Sequence, residues 1–259
     1  MSVLDSIIEG VREDLAARRV SLAQIQEQLT QAPPVIDAHT PLLASPMSII
    51  AEVKRASPSK GALAEIANPL DLARRYEDAG AAVISVLTER RRFSGSLEDL
   101  IEVRAGVSIP ILRKDFMVDE YQFYEARAAG ADVVLLIVAA LSKNQLRDYY
   151  DLATELGMAA LIEVHTHEEV EDALDINPRI IGVNARNLKT LEIDLAAFSR
   201  LIPEIPSSII RVAESGISER SEVEIAQAAG AQAILVGETL VRTGDPKAKI
   251  DALLGTSRG

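Results

Sequence analysis

A closed barrel of eight parallel strands, each followed by a helix, is the fold this sequence predicts. Three observations carry it. Short runs rich in Ile, Val and Ala recur from residue 49 onward, with helix signals between them. Most of those runs are apolar at every position, as in parallel strands covered on both faces. One pattern also repeats: Glu-Asp-Ala-Gly-Ala-Ala-Val-Ile (Glu77 to Ile84), Arg-Ala-Ala-Gly-Ala-Asp-Val-Val (Arg127 to Val134) and Gln-Ala-Ala-Gly-Ala-Gln-Ala-Ile (Gln227 to Ile234). Each copy is a helix end, a glycine turn and a strand start, and the glycines fall at multiples of two βα units. Repeating units of similar length favour closure. An open doubly wound sheet accommodates the same strands, but no Gly-x-Gly-x-x-Gly follows the first of them.

The elements follow in order. Val3, Leu4, Ile7, Ile8, Val11 and Leu15 have helical spacing, so Val3 to Arg19 reads as an amphipathic helix. Ser21 with Gln24 is a capping box opening a second helix over Leu22 to Leu29. Pro33, Pro34, Pro41 and Pro46 then mark a connector. The expected strands are Ile49–Lys54, Val83–Leu87, Ile109–Lys114, Val133–Ile137, Ala160–Glu163, Ile180–Asn184, Ile210–Ala213 and Ala233–Val236. Asn68-Pro69 is an N-cap with Pro at the first helical position. Ser142 with Gln145, Thr166 with Glu169, and Ser221 with Glu224 are capping boxes, and Ser96 with Asp99 and Asp119 with Gln122 are weaker variants. The 259 residues suit a single (β/α)8, or TIM, barrel domain of about 250 residues. Residues 1–47 form a helical extension and 48–259 the barrel.

Composition narrows the chemistry. Hydrophobic residues are 48% of the chain and aromatics only 3%, so the core is aliphatic. No Cys is present, which excludes disulfides, thiolate metal sites and a thiol nucleophile. His39, His165 and His167 are too few for a metal site, so no metal is expected, and the last two read as surface or helix-cap residues. The net charge of −12 disfavours nucleic acid and anionic membranes. No apolar run approaches the ~18 residues of a membrane span, and no secretory leader is visible. The expectation is a cytoplasmic protein, monomeric by default, with no nucleic-acid or membrane partner.

Five of the apolar runs end on a charged or amide side chain. Charges are rarely buried without partners. Side chains alternate across a strand, so Glu52 and Lys54 share a face. So do Leu112 and Lys114, Leu161 and Glu163, Gly182 and Asn184, and Val212 and Glu214. If those faces point inward, the cluster crowds the mouth where barrel enzymes place their chemistry. A single Lys or Glu at a strand end is as often a solvated loop residue; a whole set ending in phase is not. Burial and pairing there shift proton affinities and poise Lys as an acid and Glu as a base.

Two glycine turns follow the seventh and eighth strands, where barrels bind phosphate: Glu214-Ser215-Gly216-Ile217 and Gly237-Glu238-Thr239-Leu240. The loop Arg55 to Gly61 suits a lid, and Ser57 suits an anion. Arg90, Arg91 and Arg92 read as a solvated run. Phe93 and Phe116 are placed to pack an aromatic substrate.

These segments resemble the indole-3-glycerol phosphate synthase family. Ile-Ala-Glu-Val-Lys-Arg-Ala-Ser-Pro-Ser-Lys-Gly (Ile50 to Gly61) and Leu-Arg-Lys-Asp-Phe (Leu112 to Phe116) are the most specific. Phe93 to Ser96, Leu161 to His165, Gly182 to Leu188 and Ala213 to Ile217 extend the likeness across the chain. Ala185 stands where many members have Asn, and Thr239 where many have Ser. The resemblance implies a carboxy-lyase of tryptophan biosynthesis. It closes the ring of 1-(2-carboxyphenylamino)-1-deoxyribulose 5-phosphate and removes CO2 and water, with neither metal nor organic cofactor. It further implies that Lys114 is the general acid and that Glu163 acts with Lys54 and Glu52 in dehydration. Asn184 and Glu214 orient substrate hydroxyls and the lysines. Ser57, Phe93, Phe116, Arg186 and Ser215 contact substrate, Lys54 its carboxylate as well, and Gly216, Gly237 and Glu238 the phosphate. The alternatives on the same barrel are a Schiff-base aldolase using Lys114 or Lys54, a sugar-phosphate isomerase, or a non-enzymatic sugar-phosphate binding module.

Overall fold

The computed structural model describes residues 2–256. Its parallel strands are β1 (Ser48–Val53), β2 (Val83–Leu87), β3 (Ile111–Lys114), β4 (Val133–Ile137), β5 (Ala159–Val164), β6 (Ile180–Asn184), β7 (Ile210–Glu214) and β8 (Ala233–Val236). They pair in chain order, and β8 closes onto β1 with Ile50 beside Leu235 and Ala51 beside Val236. The expected (β/α)8 barrel is therefore present. Four strands have the expected bounds and the rest differ by one or two residues at an end.

Alternation sorts the strand residues into two cores. Ile50, Leu112, Leu135, Leu161, Val212 and Leu235 point inward and fill the barrel. Ile49, Ile84, Val134, Ile162, Val183 and Ile234 point outward and pack beneath the helices. Those helices are α3 (Pro69–Asp78), α4 (Leu97–Arg104), α5 (Tyr121–Ala128), α6 (Lys143–Glu155), α7 (His167–Leu174), α8 (Ala196–Leu201), α9 (Arg220–Ala229), α10 (Glu238–Val241) and α11 (Pro246–Leu254); the N-terminal extension adds α1 (Val3–Arg18) and α2 (Leu22–Gln31), which pack elsewhere. Among the described residues, no helix is long and apolar enough to cross a membrane.

Most helix starts follow the sequence signals. Asn68, Ser96, Ser142 and Thr166 each accept an N–H from the first turn of α3, α4, α6 and α7. Three signals are corrected. Helix α9 begins at Arg220, so Ser221 lies inside its first turn; the Glu222 carboxylate accepts the N–H groups of Ser218 and Glu219 instead. Asp119 with Gln122 and Thr166 with Glu169 are half boxes: Gln122 Oε1 accepts the Asp119 N–H while the Asp119 carboxylate takes the Tyr121 N–H, and the Glu169 carboxylate accepts the His165 N–H rather than that of Thr166. The repeat glycines Gly80, Gly130 and Gly230 all have positive φ, at 90°, 89° and 103°, conformations that cost a side chain-bearing residue energy.

The N-terminal extension grips the barrel at both ends. Leu4, Ile7 and Val11 of α1 join the inner core at the top, while Ala38 and Leu42 join it at the base. Arg18 forks onto Glu125 through Nε at 2.7 Å and Nη2 at 3.0 Å. Behind Glu125 lies Arg113, 1% exposed, which donates to Glu125, Asp115, Thr88 and the Gln122 carbonyl. Burying a guanidinium is costly unless its donors are matched, and this network matches them. The arginine run is exposed, as expected, but two of its members are paired. Arg91 pairs with Glu13 and Asp14, and Arg92 donates to Ser6. The acidic face of α1 supplies these partners, and the strand pattern carried no sign of that docking.

Candidate active site

The strand ends converge. In-register pairing sets Leu87 beside Lys114, Ile137 beside Glu163, Glu163 beside Gly182, and Asn184 beside Glu214. Glu52, Lys114, Glu163, Asn184 and Glu214 each take the last inward-facing position of their strand, and Lys54 follows β1 directly, so all six meet at the C-terminal mouth. Lys114 Nζ lies 3.3 Å from Glu163 Oε2 and 3.7 Å from Glu214 Oε2. Across the mouth, Lys54 Nζ lies 3.3 Å from Glu52 Oε1. Glu52, Glu163, Asn184 and Glu214 are buried, at 3%, 1%, 8% and 1% exposure.

So many charges in a dry site cannot all keep ordinary proton affinities. Burial opposes the Lys114 ammonium, but Glu163, Glu214 and Glu52 outweigh it and hold its pKa above the usual lysine range. Burial likewise opposes the Glu163 carboxylate, but Lys114 and His165 keep it ionised, well below the usual carboxylate range. Glu214 goes the other way. Burial and the neighbouring Glu163 charge push it up to about 8, and its Oε1 has no hydrogen-bond partner among the described residues. The cluster thus holds a protonated lysine, an ionised glutamate and a carboxylic acid side by side.

Two glycines make room for this packing. A Cβ on Gly182 would sit 2.0 Å from Glu214 Oε1, and one on Gly237 would sit 2.4 Å from Glu52 Oε1. Gly237 thus serves the interior carboxylate directly. On the phosphate side, Ser215 and Gly216 are both left-handed, with φ of 67° and 77°, and a Cβ on Gly216 would strike Ile193 and Leu195. The Glu238 carboxylate faces Lys60 at 3.6 Å and Arg242 at 3.5 Å, so its backbone N–H is the part suited to an anion. Ser57, Arg186, Ser215, Gly216, Gly237 and Thr239 line this end of the cleft. Arg186 spans two loops by donating to Ser59 Oγ and to the Leu191 carbonyl.

The opposite end is apolar. Phe93 and Phe116 stand 6.2 Å apart, and Lys54 Nζ lies 5.4 Å from the Phe93 ring centroid. Val3, Leu4 and Ile7 of α1 roof the same space, with Leu87, Ile137 and Leu188 around it. Buried Glu89 fixes the Phe93 turn by accepting the N–H groups of Arg91, Arg92 and Phe93.

The structure therefore gathers every residue singled out from the sequence around one cleft. It also adds residues that went unrecognised. His165 is no surface residue: its side chain is 11% exposed, with Nε2 3.3 Å from Glu163 Oε1. It lies two positions past Glu163 on the same strand face, and that alternation was the signal available. Glu89 carried no periodic signal, because it holds a loop through backbone N–H groups. His167 does lie at the surface, pairing with Glu204 and Glu171.

Comparison with known proteins places these residues in context. Residues 4–253 match the family model described as "Indole-3-glycerol phosphate synthase". A protein of that name from Mycolicibacterium vanbaalenii is 56% identical over 255 residues, covering 98% of this chain and 94% of the relative. Its counterpart in Mycolicibacterium smegmatis is 55% identical over the same coverage. Among solved structures, a 3-hexulose-6-phosphate synthase superposes with a TM-score of 0.62 at 16% identity, covering 82% of this chain and 100% of that one. A thiamine phosphate pyrophosphorylase from Pyrococcus furiosus gives 0.61 at 14% identity, covering 85% and 96%. At such identities these two speak for the barrel alone.

Proposed function

The chain belongs to the indole-3-glycerol phosphate synthase family and is a carboxy-lyase of tryptophan biosynthesis, and from that premise we propose how its side chains divide the work. The carboxyphenylamino ring of the substrate enters the slot between Phe93 and Phe116, with Lys54 near its carboxylate. The phosphate reaches the backbone N–H groups around Ser215, Gly216, Gly237 and Glu238, with Arg186 and Ser57 over the sugar. This stretches the substrate across the polar mouth.

Ring closure begins when the ring carbon bearing the carboxylate attacks the keto carbon. The keto oxygen must gain a proton as it becomes a hydroxyl, and Lys114 supplies it. Loss of CO2 then restores the aromatic ring. The hydroxyl leaves as water while a neighbouring methylene gives up a proton; Glu163 acts here with Lys54 and Glu52. Asn184 and Glu214 orient the substrate hydroxyls and Lys114. Decarboxylation leaves the overall reaction one proton short, so the site must be recharged from solvent at each turnover.

The observation that carries this reading is the Lys114 ammonium held between Glu163 and Glu214 at the mouth. A Schiff-base lysine needs a free amine, and Lys114 is held in the opposite state. The test is Lys114→Ala. Indole fluorescence from the carboxyphenylamino-deoxyribulose phosphate should fall by about 10²–10⁴-fold while circular dichroism stays unchanged. Near-normal turnover refutes the assignment.

A further inference from the structure

We propose that His165, clamped between Glu163 and Glu169, is a positioning residue that keeps Glu163 ionised and aimed at Lys114. The inference rests on the role given to Glu163 above. Glu163 presents its two oxygens to two cations: Oε2 lies 3.3 Å from Lys114 Nζ, and Oε1 lies 3.3 Å from His165 Nε2. The imidazole is held from behind. Nδ1 is 3.1 Å from Glu169 Oε2, which also accepts the His165 backbone N–H at 2.7 Å.

The capping chemistry explains how Glu169 comes to be there. Thr166 caps α7 by accepting the Glu169 N–H. In a full capping box the Glu169 carboxylate would return to Thr166; here it turns to His165 instead. The result is a chain of alternating charge, Lys114, Glu163, His165 and Glu169, running from the buried mouth to a half-buried helix start. His165 Nε2 is buried with no hydrogen-bond acceptor in line among the described residues, so its contact with Glu163 acts through charge.

The groups facing this pair are few. Lys114 reaches Glu163 from β3, Asn184 on β6 favours its ionised form, and Glu214 adds a like charge or a proton from β7. Glu163 and Glu169 are the carboxylates that bear on His165; against burial they raise its pKa to about 9. The imidazole therefore carries its charge through neutral pH. Removing that charge leaves Lys114 alone to oppose burial and the Glu214 neighbour, and the proton affinity of Glu163 must rise.

The test is the pH dependence of kcat in His165→Gln, His165→Lys and Glu169→Gln, with Glu163→Gln as reference. An opposite charge at this distance lowers a carboxyl pKa by about 1–3 units. The acid limb of kcat should therefore move up by about one pH unit or more in His165→Gln. It should return toward the wild-type position in His165→Lys and move by a smaller amount in Glu169→Gln. A drop in kcat with the acid limb unmoved means packing alone and overturns the proposal, as does an unchanged profile. Should His165→Gln fail to fold, Glu169→Gln decides alone: an unmoved limb there overturns it. Full activity in Glu163→Gln would instead sink the role of Glu163, a distinct failure.

Discussion

Gly182→Ala tests whether the carboxylate cluster is as tightly fitted as its distances imply. The added Cβ would lie 2.0 Å from Glu214 Oε1 and 3.1 Å from both Glu214 Cδ and Leu161 Cδ1. Ordinary contact begins near 3.4 Å, so the carboxylate must retreat by more than an ångström. Gly182 sits mid-strand between β5 and β7, so the backbone has little freedom to give way, and Glu214 moves off its place beside Lys114. Overpacking of this kind costs about 1–3 kcal/mol, a fall in Tm of several degrees at this chain length. Misplacement by about 1 Å commonly costs ~10²-fold in rate. The assay pairs indole fluorescence with calorimetry on Gly182→Ala, Glu214→Ala and the double variant. If the clash is with Glu214, the Gly182→Ala stability cost should nearly vanish in the Glu214→Ala background, a coupling well above the ~0.5 kcal/mol of independent sites. Wild-type kcat and Tm in Gly182→Ala, or a cost that persists undiminished in the double variant, refutes the reasoning.

Two further outcomes follow from the same geometry. Glu214 has its folded pKa raised to about 8, so the stability tied to its proton is present at low pH and is lost as pH climbs from the ordinary carboxylate range through 8. Glu214→Gln should therefore lose activity yet melt several degrees higher than wild type at pH 8 to 9, with the difference vanishing near pH 4; equal melting at all pH values contradicts the assignment. Arg18→Ala removes a partly exposed fork from Glu125, which keeps Arg113 as its partner. The expected cost, discounted for exposure, is about 1–2 kcal/mol. Amide exchange should quicken first in residues 3–18, and KM should rise because Val3, Leu4 and Ile7 roof the cleft; uniform exchange with unchanged KM rules that coupling out.

The sequence was most transparent where one physical rule acted alone. Strand period and burial on both faces located all the barrel strands, and the same period told which residues share the mouth with Glu52 and Lys114. Rules that act across elements were harder to see. Ser221 with Glu224 has the right spacing for a cap, but Glu219 with Glu222 starts the helix two residues earlier, leaving Ser221 inside the first turn. Arg91 and Arg92 have the composition of a solvated run, and only the placement of α1 supplies Glu13, Asp14 and Ser6. His165 reads from the sequence as a surface or helix-cap residue. Its two-residue spacing from Glu163 points it at the mouth, but that Glu163 and Glu169 both turn toward it is a matter of side-chain orientation that spacing does not encode.

The seam between β1 and β8 has a consequence for the timing of catalysis. Glu52 belongs to the first strand made and Gly237 follows the last, yet the two fit against each other within one site. At 5–20 residues per second, roughly 10–40 s of translation separate them. Until the final strand has left the ribosome, Glu52 and Lys54 have no wall on one side and the phosphate end has no second turn. A growing or prematurely ended chain carries most of the catalytic side chains without a catalytic site, and activity arrives in one step, with closure.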